Sequence, residues 1–207
     1  MLFRSTTTGK ITVSTPGGDV KGTVDVQNKA PNNVRTLISL DLSSLGAGMM
    51  TVDQRFDGTS GIVLDSMQGN RDLTGDQLAN MKNQEFPTPL LHYKEHGTKI
   101  ELGEKEKVGD RDAQVLTVTP KEGPPSRLYV DTQTWLPMRV VQTLELPEVG
   151  RVEQTTELSD YREVDGIKVP FSINNSSSVQ KISIAVDKIQ HNVDVDSTLF
   201  KKPGGGL

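Results

Sequence analysis

The chain has 207 residues, a formal net charge of −4 and no Cys. This length suits one domain with a single core, and a slightly acidic chain without a basic run lacks the electrostatic signature of a nucleic-acid binder. The lack of Cys excludes disulfides, cysteine-ligated metal sites and a thiol nucleophile.

The N-terminal residues predict a strand rather than a targeting segment. The sequence MLFRSTTTGKITVST contains no apolar region of the length that a secretory signal needs. No part of the chain has an apolar run long enough for a transmembrane helix. We therefore expect the chain to begin inside a domain, with residues 1–203 forming that domain and 204–207 a flexible tail.

Alternating apolar and polar residues predict antiparallel strands in the first third of the chain. These segments are 10–14, 20–28, 34–42, 50–56 and 61–65. Gly-rich turns separate them, among them Pro16-Gly17-Gly18-Asp19 and Asp57-Gly58-Thr59-Ser60-Gly61. Adjacent strands joined by such tight turns form hairpins.

Two short helices are predicted near the middle of the chain. Thr74 and Gln77 have the spacing of a capping box, which predicts a polar helix over 74–83. Pro87 and Pro89 then break the chain. A second short helix is predicted over 90–96, and Gly97 ends it.

Strand patterns return after this insertion. The predicted segments are 99–102, 112–119, 126–130, 137–146, 151–161, 167–174 and 179–191. Short turns, such as Asp165-Gly166, join them, and no alternation of strands with helices occurs. The sequence predicts a mainly β fold, a curved antiparallel sheet or half-open, incomplete β-barrel with the short helical insertion as its lid or plug.

Several phrases of the sequence resemble one known family. The C-terminal half contains EKEKVGDRDAQVLTVTPKEGPPSRLYVDTQTWLPMRV and ELSDYREVDGIKVPFSI. The N-terminal half contains GKITVSTPGGDVKGTV, KAPNNVRT, FDGTSGIVLDSMQG and FPTPLL. Over roughly residues 9–203 the chain resembles the lipoprotein-localisation-factor superfamily (LolA/LolB-like), in its bacterial outer-membrane lipoprotein-sorting branch.

This resemblance implies a fold, a function and a location. Members have an incomplete antiparallel barrel whose helices plug a hydrophobic cavity that holds acyl chains. The expected function is that of a carrier of lipid or lipoprotein acyl chains, without a cofactor. Its expected place is the bacterial periplasm or the periplasmic face of the outer membrane, with membrane-associated envelope proteins as further partners. Compared with the family, we expect this chain to lack the helix that usually precedes the first strand, which would leave the cavity more open.

Aliphatic residues at alternate strand positions are the candidate ligand-binding residues. The set is Val24, Val26, Ile38, Leu40, Ile62, Leu64, Leu116, Leu128, Val140 and Phe171, with Val118, Val130 and Ile173 at further inward positions. Core and ligand-facing residues of a curved sheet share the same period, so these residues either fill the core or line a cavity. The low aromatic content favours an aliphatic lining.

The segment His92-Tyr93-Lys94-Glu95-His96 raises an alternative, a zinc-dependent hydrolase of ester or phosphoester substrates. On a helix, His92 and His96 lie on one face and could bind one zinc ion, with Glu95 as general base. The candidates for a further ligand are His191, Asp57, Asp65 and Glu85. A chance pair of His near a helix end explains the same spacing. A structural envelope module without a small ligand is a third alternative.

Overall fold

The alternating segments form the strands of a single antiparallel sheet. The computed structural model describes residues 3–15, 17–88, 90–146 and 149–203, which include 13 strands and one α-helix. The strands are β1 (Arg4–Thr15), β2 (Gly18–Lys29), β3 (Asn33–Asp41), β4 (Met49–Phe56), β5 (Gly61–Asp65), β6 (Arg71–Asp72), β7 (Lys99–Val108), β8 (Arg111–Thr119), β9 (Ser126–Asp131), β10 (Pro137–Leu146), β11 (Gly150–Val164), β12 (Ile167–Ser177) and β13 (Lys181–His191). The helix α1 is Gly75–Asn83. The mainly β prediction is confirmed; the predicted tail, 204–207, lies outside the described residues.

Strand order follows chain order except at one place. The sheet runs β6-β5-β4-β3-β2-β1-β13-β12-β11-β10-β9-β8-β7. Strands β1 to β6 therefore form one wing and β7 to β13 the other, and the wings join where β1 pairs with β13. The edge strands β6 and β7 do not pair with each other, so the sheet stays open, as the prediction of an incomplete barrel required.

Helix α1 lies between the two wings. It belongs to the segment that joins the edge strands β6 and β7, so it must cross the opening of the sheet. Met81 of the helix and Leu73 just before it pack with buried Phe56 of β4. On the other wing, Gln77 Nε2 donates a hydrogen bond of 2.9 Å to the backbone oxygen of Glu145. The sheet thus curls around α1, and the face that α1 contacts is the concave face.

The prediction of a second helix, over 90–96, is wrong. Residues 90–97 form hydrogen-bonded turns instead of a helix. The backbone nitrogen of His96 donates a helix-like hydrogen bond to the oxygen of His92 at 3.1 Å. The next bond departs from the helix pattern, because Thr98 N donates to the oxygen of Tyr93 at 2.8 Å and Gly97 has a positive φ of +70°. A segment this short, with prolines before it and a glycine after it, does not gain enough from hydrogen bonds to offset helix nucleation.

The predicted capping box also does not form, although the helix begins where it predicts. Thr74 is the extended N-cap residue, but its side chain makes no capping hydrogen bond. The Gln77 side chain bonds instead to the backbone oxygen of Glu145 on β10.

Within the described ranges, no helix is long and apolar enough to cross a membrane.

Gly22 allows two central strands to approach closely, and this supports a first prediction. A Cβ atom at Gly22 would lie 1.9 Å from the backbone oxygen of Ser39, so the strands β2 and β3 must separate to admit it. We expect Gly22→Ala to lower the free energy of unfolding by about 2 kcal/mol, as measured by urea denaturation. Gly48→Ala is the matched control, because a Cβ there meets nothing within 4 Å. Equal effects of the two substitutions would contradict the prediction.

Candidate ligand-binding face

An aliphatic stripe crosses four neighbouring strands on the concave face. Leu102 of β7 opposes Leu116 of β8, Leu116 opposes Leu128 of β9, and Leu128 opposes Val140 of β10. Paired residues of an antiparallel sheet point to the same face. Val140 lines a cleft beside α1, which places the stripe on the concave face. Leu116, Leu128 and Val140 are half-buried, and Leu102 is 75% exposed.

The other wing contributes aliphatic residues to the same face. Val24 opposes Ile38 in the β2–β3 pair, and Val26 and Leu40 lie two residues further along those strands. This face also carries Phe56, which packs with α1. Val24 is buried, whereas Ile38 and Leu40 are half-buried. These four candidate residues therefore share the concave face.

Ile62 and Leu64 point to the opposite, convex face. Ile62 opposes Arg55, and Leu64 opposes Asp53, in the β4–β5 pair. The residue that shares the concave face is their neighbour Val63, which packs in the core beneath α1. The prediction that Ile62 and Leu64 point inward is therefore wrong, because a strand with apolar residues on both faces has no alternation to reveal its register.

Phe171 lies on β12 and is 8% exposed. The guanidinium group of Arg162 stacks over its ring at 4.4 Å from the centroid. The ring is therefore covered by a cation of the neighbouring strand, and it fills the core rather than a vacant space.

Two clefts lie beside α1 on the concave face. The first, of about 250 Å³, is bounded by Val118 and Val140. The second, of about 310 Å³, lies between β5, α1 and β10 and is bounded by Val63, Leu73 and Leu144. Both clefts are partly apolar, and both are also lined by side-chain amides, which the strand patterns did not predict. The amide residues are Gln54, Gln77, Asn80, Asn83, Gln84, Gln142 and Gln154.

The register explains how these amides reach the concave face. Gln54 stands between Val52 and Phe56, two residues from each, and opposes Val63. Gln142 opposes Gln154 in the β10–β11 pair, and their amides lie 3.4 Å apart. A polar residue in the middle of the apolar face of a strand was the signal in the sequence that could have identified them.

The two His of the His-x-x-Glu-His segment contact Glu85 rather than Glu95. His92 Nδ1 lies 3.7 Å from Glu85 Oε1, and His96 Nδ1 lies 3.4 Å from Glu85 Oε2. The His side chains are about half exposed, while that of Glu85 is 13% exposed. The spacing therefore did bring the two His together, with ring centroids 6.3 Å apart.

His191, the predicted third ligand, has other partners. Its Nδ1 lies 3.0 Å from Asp165 Oδ2, and its ring packs against Phe3 at 5.6 Å. Of the other acidic candidates, Asp57 accepts hydrogen bonds from the backbone of its own turn, and so does Asp65. Within the described ranges, no group of three or more His, Asp or Glu side chains is arranged to hold a metal ion. The geometry thus gives no support to zinc-dependent hydrolysis.

A buried ion cluster stabilises the convex side of the first wing. Asp53 receives Arg35 Nε at 2.8 Å on one carboxylate oxygen and an Arg55 guanidinium nitrogen at 2.7 Å on the other. All three side chains are less than one-fifth exposed. Burial alone raises the pKa of Asp53, but the hydrogen bonds from the two arginines outweigh it, and its pKa is lowered below the usual range.

No protein-family model matches the sequence, and no curated protein matches it. Solved structures of similar fold include three at low sequence identity. A DUF1329 family protein from Desulfovibrio piger has a TM-score of 0.62 at 15% identity, over 96% of this chain and 89% of that one.

The other two of these structures are similar in fold at comparably low sequence identity. A putative outer membrane lipoprotein-sorting protein domain from Vibrio parahaemolyticus has a TM-score of 0.62 at 9% identity, over 95% of this chain and 88% of that one. A LolA superfamily protein from Nitrosomonas europaea has a TM-score of 0.63 at 16% identity, over 96% of this chain and 90% of that one. The open 13-stranded sheet curled around a short helix is therefore a LolA-like fold.

Proposed function

We propose that this protein is a non-enzymatic carrier that binds the acyl chains of a lipid or lipoprotein on its concave face. The observation that supports this most directly is the stripe of Leu116, Leu128 and Val140, which is aliphatic, continuous and only half-buried. A core packed to native density leaves such side chains little exposed surface. A bound chain would cover them and gain about 0.8 kcal/mol for each methylene group removed from water.

The open sheet is consistent with reversible binding. The edge strands β6 and β7 are not joined, and the mouth between them is crossed by α1 and by the turns of residues 90–97. An extended apolar chain can enter such a mouth without breaking any strand pair. The proposal places the protein in the bacterial periplasm, where it would take its cargo from membrane-associated envelope proteins and pass it on to others.

Binding of a neutral dye provides the test. Nile red is expected to fluoresce more strongly in the presence of the native protein, and a fatty acid is expected to displace it. Ile38→Asp and Leu128→Asp should each weaken dye binding by about ten-fold or more, because a carboxylate on the apolar face costs several kcal/mol to desolvate. Both variants lie on strands whose aliphatic faces are half-buried.

The matched control for Ile38→Asp is Ser39→Asp, at the next residue of β3 on the opposite face. It adds the same charge without reaching the concave face, so dye affinity should stay at the wild-type value. Circular dichroism confirms that each variant is folded. Wild-type protein that binds neither dye nor fatty acid, or folded Ile38→Asp and Leu128→Asp variants that bind as well as wild type, would refute the carrier function.

A further inference from the structure

We propose that Arg71 binds the anionic head group of the amphiphile whose acyl chain lies on the concave face. This inference rests on the proposed carrier function and narrows its ligand to one with a carboxylate or phosphate group. It assigns the head group to the cleft of about 310 Å³ between β5, α1 and β10.

The register of the short edge strand places Arg71 in this cleft. Arg71 opposes Val63 in the β5–β6 pair. Val63 is 2% exposed and packs with Leu73 and Met81 beneath α1, so the face it shares with Arg71 is the concave one. The neighbouring residue on β6, Asp72, faces away and pairs with Lys202 at 2.8 Å. Arg71 is therefore the cation that β6 presents to the cleft.

Arg71 differs from the other arginines in its partners. The chain has nine arginines. Eight of them lie within 4.0 Å of a carboxylate, namely Arg4, Arg35, Arg55, Arg111, Arg127, Arg139, Arg151 and Arg162. Among the described residues, Arg71 has no such partner, and its Nε atom, like those of Arg4 and Arg139, is buried without a hydrogen-bond acceptor. A buried donor without an acceptor is costly, and an anionic oxygen from a ligand would satisfy it.

The rest of the cleft lining completes a site for an anionic group. Gln54, Gln77 and Gln154 line the same cleft. Each amide has two N–H donors, of which Gln54 uses one on Met81 Sδ and Gln77 one on the Glu145 backbone oxygen, while Gln154 accepts from Gln142 through its Oε1. Glu145 also lines it, but this residue is exposed, and its backbone oxygen accepts the hydrogen bond from Gln77. Guanidinium and amide donors together form short, strong hydrogen bonds with a carboxylate or phosphate.

Apolar residues stand in the same cleft beside these donors. Leu73, Met81 and Leu144 form its apolar part, and the cleft shares Gln142 with the neighbouring cleft that Val140 lines. A ligand held at Arg71 can therefore extend its methylene chain along α1 towards the aliphatic stripe. The polar and apolar parts of these two adjoining clefts match an anionic amphiphile.

Three ligands with the same chain length test the inference. Dodecanoate and dodecyl phosphate carry an anionic head, and methyl dodecanoate has a neutral one; each is titrated against protein-bound Nile red at pH 8. In Arg71→Met we expect the affinity for both anions to fall about ten-fold or more, while the affinity for the ester stays unchanged. Arg71→Lys should recover part of the loss, because it keeps the charge without the guanidinium fork.

Arg151→Gln is the control variant. Arg151 also lies near α1, where it pairs with Asp76 at 2.7 Å, but its side chain is 69% exposed. The Arg151→Gln substitution should leave the affinities for dodecanoate, dodecyl phosphate and methyl dodecanoate unchanged. If Arg71→Met loses more affinity for dodecanoate than for dodecyl phosphate, Arg71 prefers a carboxylate head group. A larger loss for dodecyl phosphate indicates a preference for a phosphate head group.

The outcomes separate this inference from the carrier function. If Arg71→Met binds the anions as well as wild type does, or loses the anions and the ester equally, the inference is wrong while the carrier function stands. If wild-type protein binds none of the three ligands and no dye, the carrier function fails and the inference fails with it.

Discussion

Phe56→Ala is expected to lower the free energy of unfolding by about 3–5 kcal/mol, the range for truncating a buried phenylalanine. The ring is 0% exposed and belongs to the cluster of Val34, Val63, Leu73 and Met81, which attaches α1 to the first wing. The loss therefore affects both the sheet core and the helix that crosses its opening. Urea denaturation followed by circular dichroism measures it.

Met49→Ala is the control on the same strand. Met49 begins β4 and is 63% exposed, so its truncation should change the free energy of unfolding by less than about 0.5 kcal/mol. If Phe56→Ala costs no more than Met49→Ala, the core cannot lie beneath α1 as described.

Asp53→Ala should be similarly destabilising, by about 3 kcal/mol at pH 7, because it leaves Arg35 and Arg55 without their shared counter-ion in a little-exposed place. The effect depends on pH. Since the pKa of Asp53 is lowered in the folded state, its ionised form stabilises the fold fully above about pH 3.9, the ordinary Asp pKa. This stabilisation is lost as the pH falls below that value and through the lowered folded-state pKa.

The matching experiment compares wild type with Asp53→Asn from pH 7 to pH 2. The difference in the free energy of unfolding should be constant down to about pH 4 and should shrink below it. Asp194→Asn serves as control, since Asp194 also pairs with an arginine, Arg4, but is fully exposed. Its effect should be within about 1 kcal/mol at every pH. A wild-type advantage over Asp53→Asn that does not shrink in acid would contradict the lowered pKa.

Local patterns were enough to predict much of this fold. Tight turns reveal themselves through residues that accept a positive φ, as at Asp165 (φ 52°) and Gly166 (φ 78°), where the predicted hairpin forms. Val24 opposes Ile38 and Leu116 opposes Leu128, so the members of each pair share a face as alternation predicted. The helix over 74–83 was predicted to within one residue of its start.

The sequence failed where the outcome depends on distant partners. The Gln77 side chain can bond either to the N-terminal end of its own helix or to the backbone oxygen of Glu145. The Glu145 oxygen comes within reach only when the two wings have folded, and Gln77 bonds to it. Two prolines and a set of turns separate Glu85 from His96 in the sequence. Spacing alone therefore favoured Glu95, and not Glu85, as the carboxylate that acts with the two His. Arg71 looks like any surface arginine in sequence, because the absence of a counter-ion is a property of three-dimensional surroundings.

The pairing of β1 with β13 has a consequence for the order of folding. Each wing is a meander whose strands pair with their sequence neighbours, so every such contact is local and closes only a short loop. The seam instead joins the first residues of the chain to nearly the last, with Ser5 opposite His191. Pairings of such long range are the slow step of folding. During synthesis, the β1 edge of the first wing therefore stays unpaired until β13 has left the ribosome. A chaperone would bind at this unpaired edge, and another chain could pair with it prematurely.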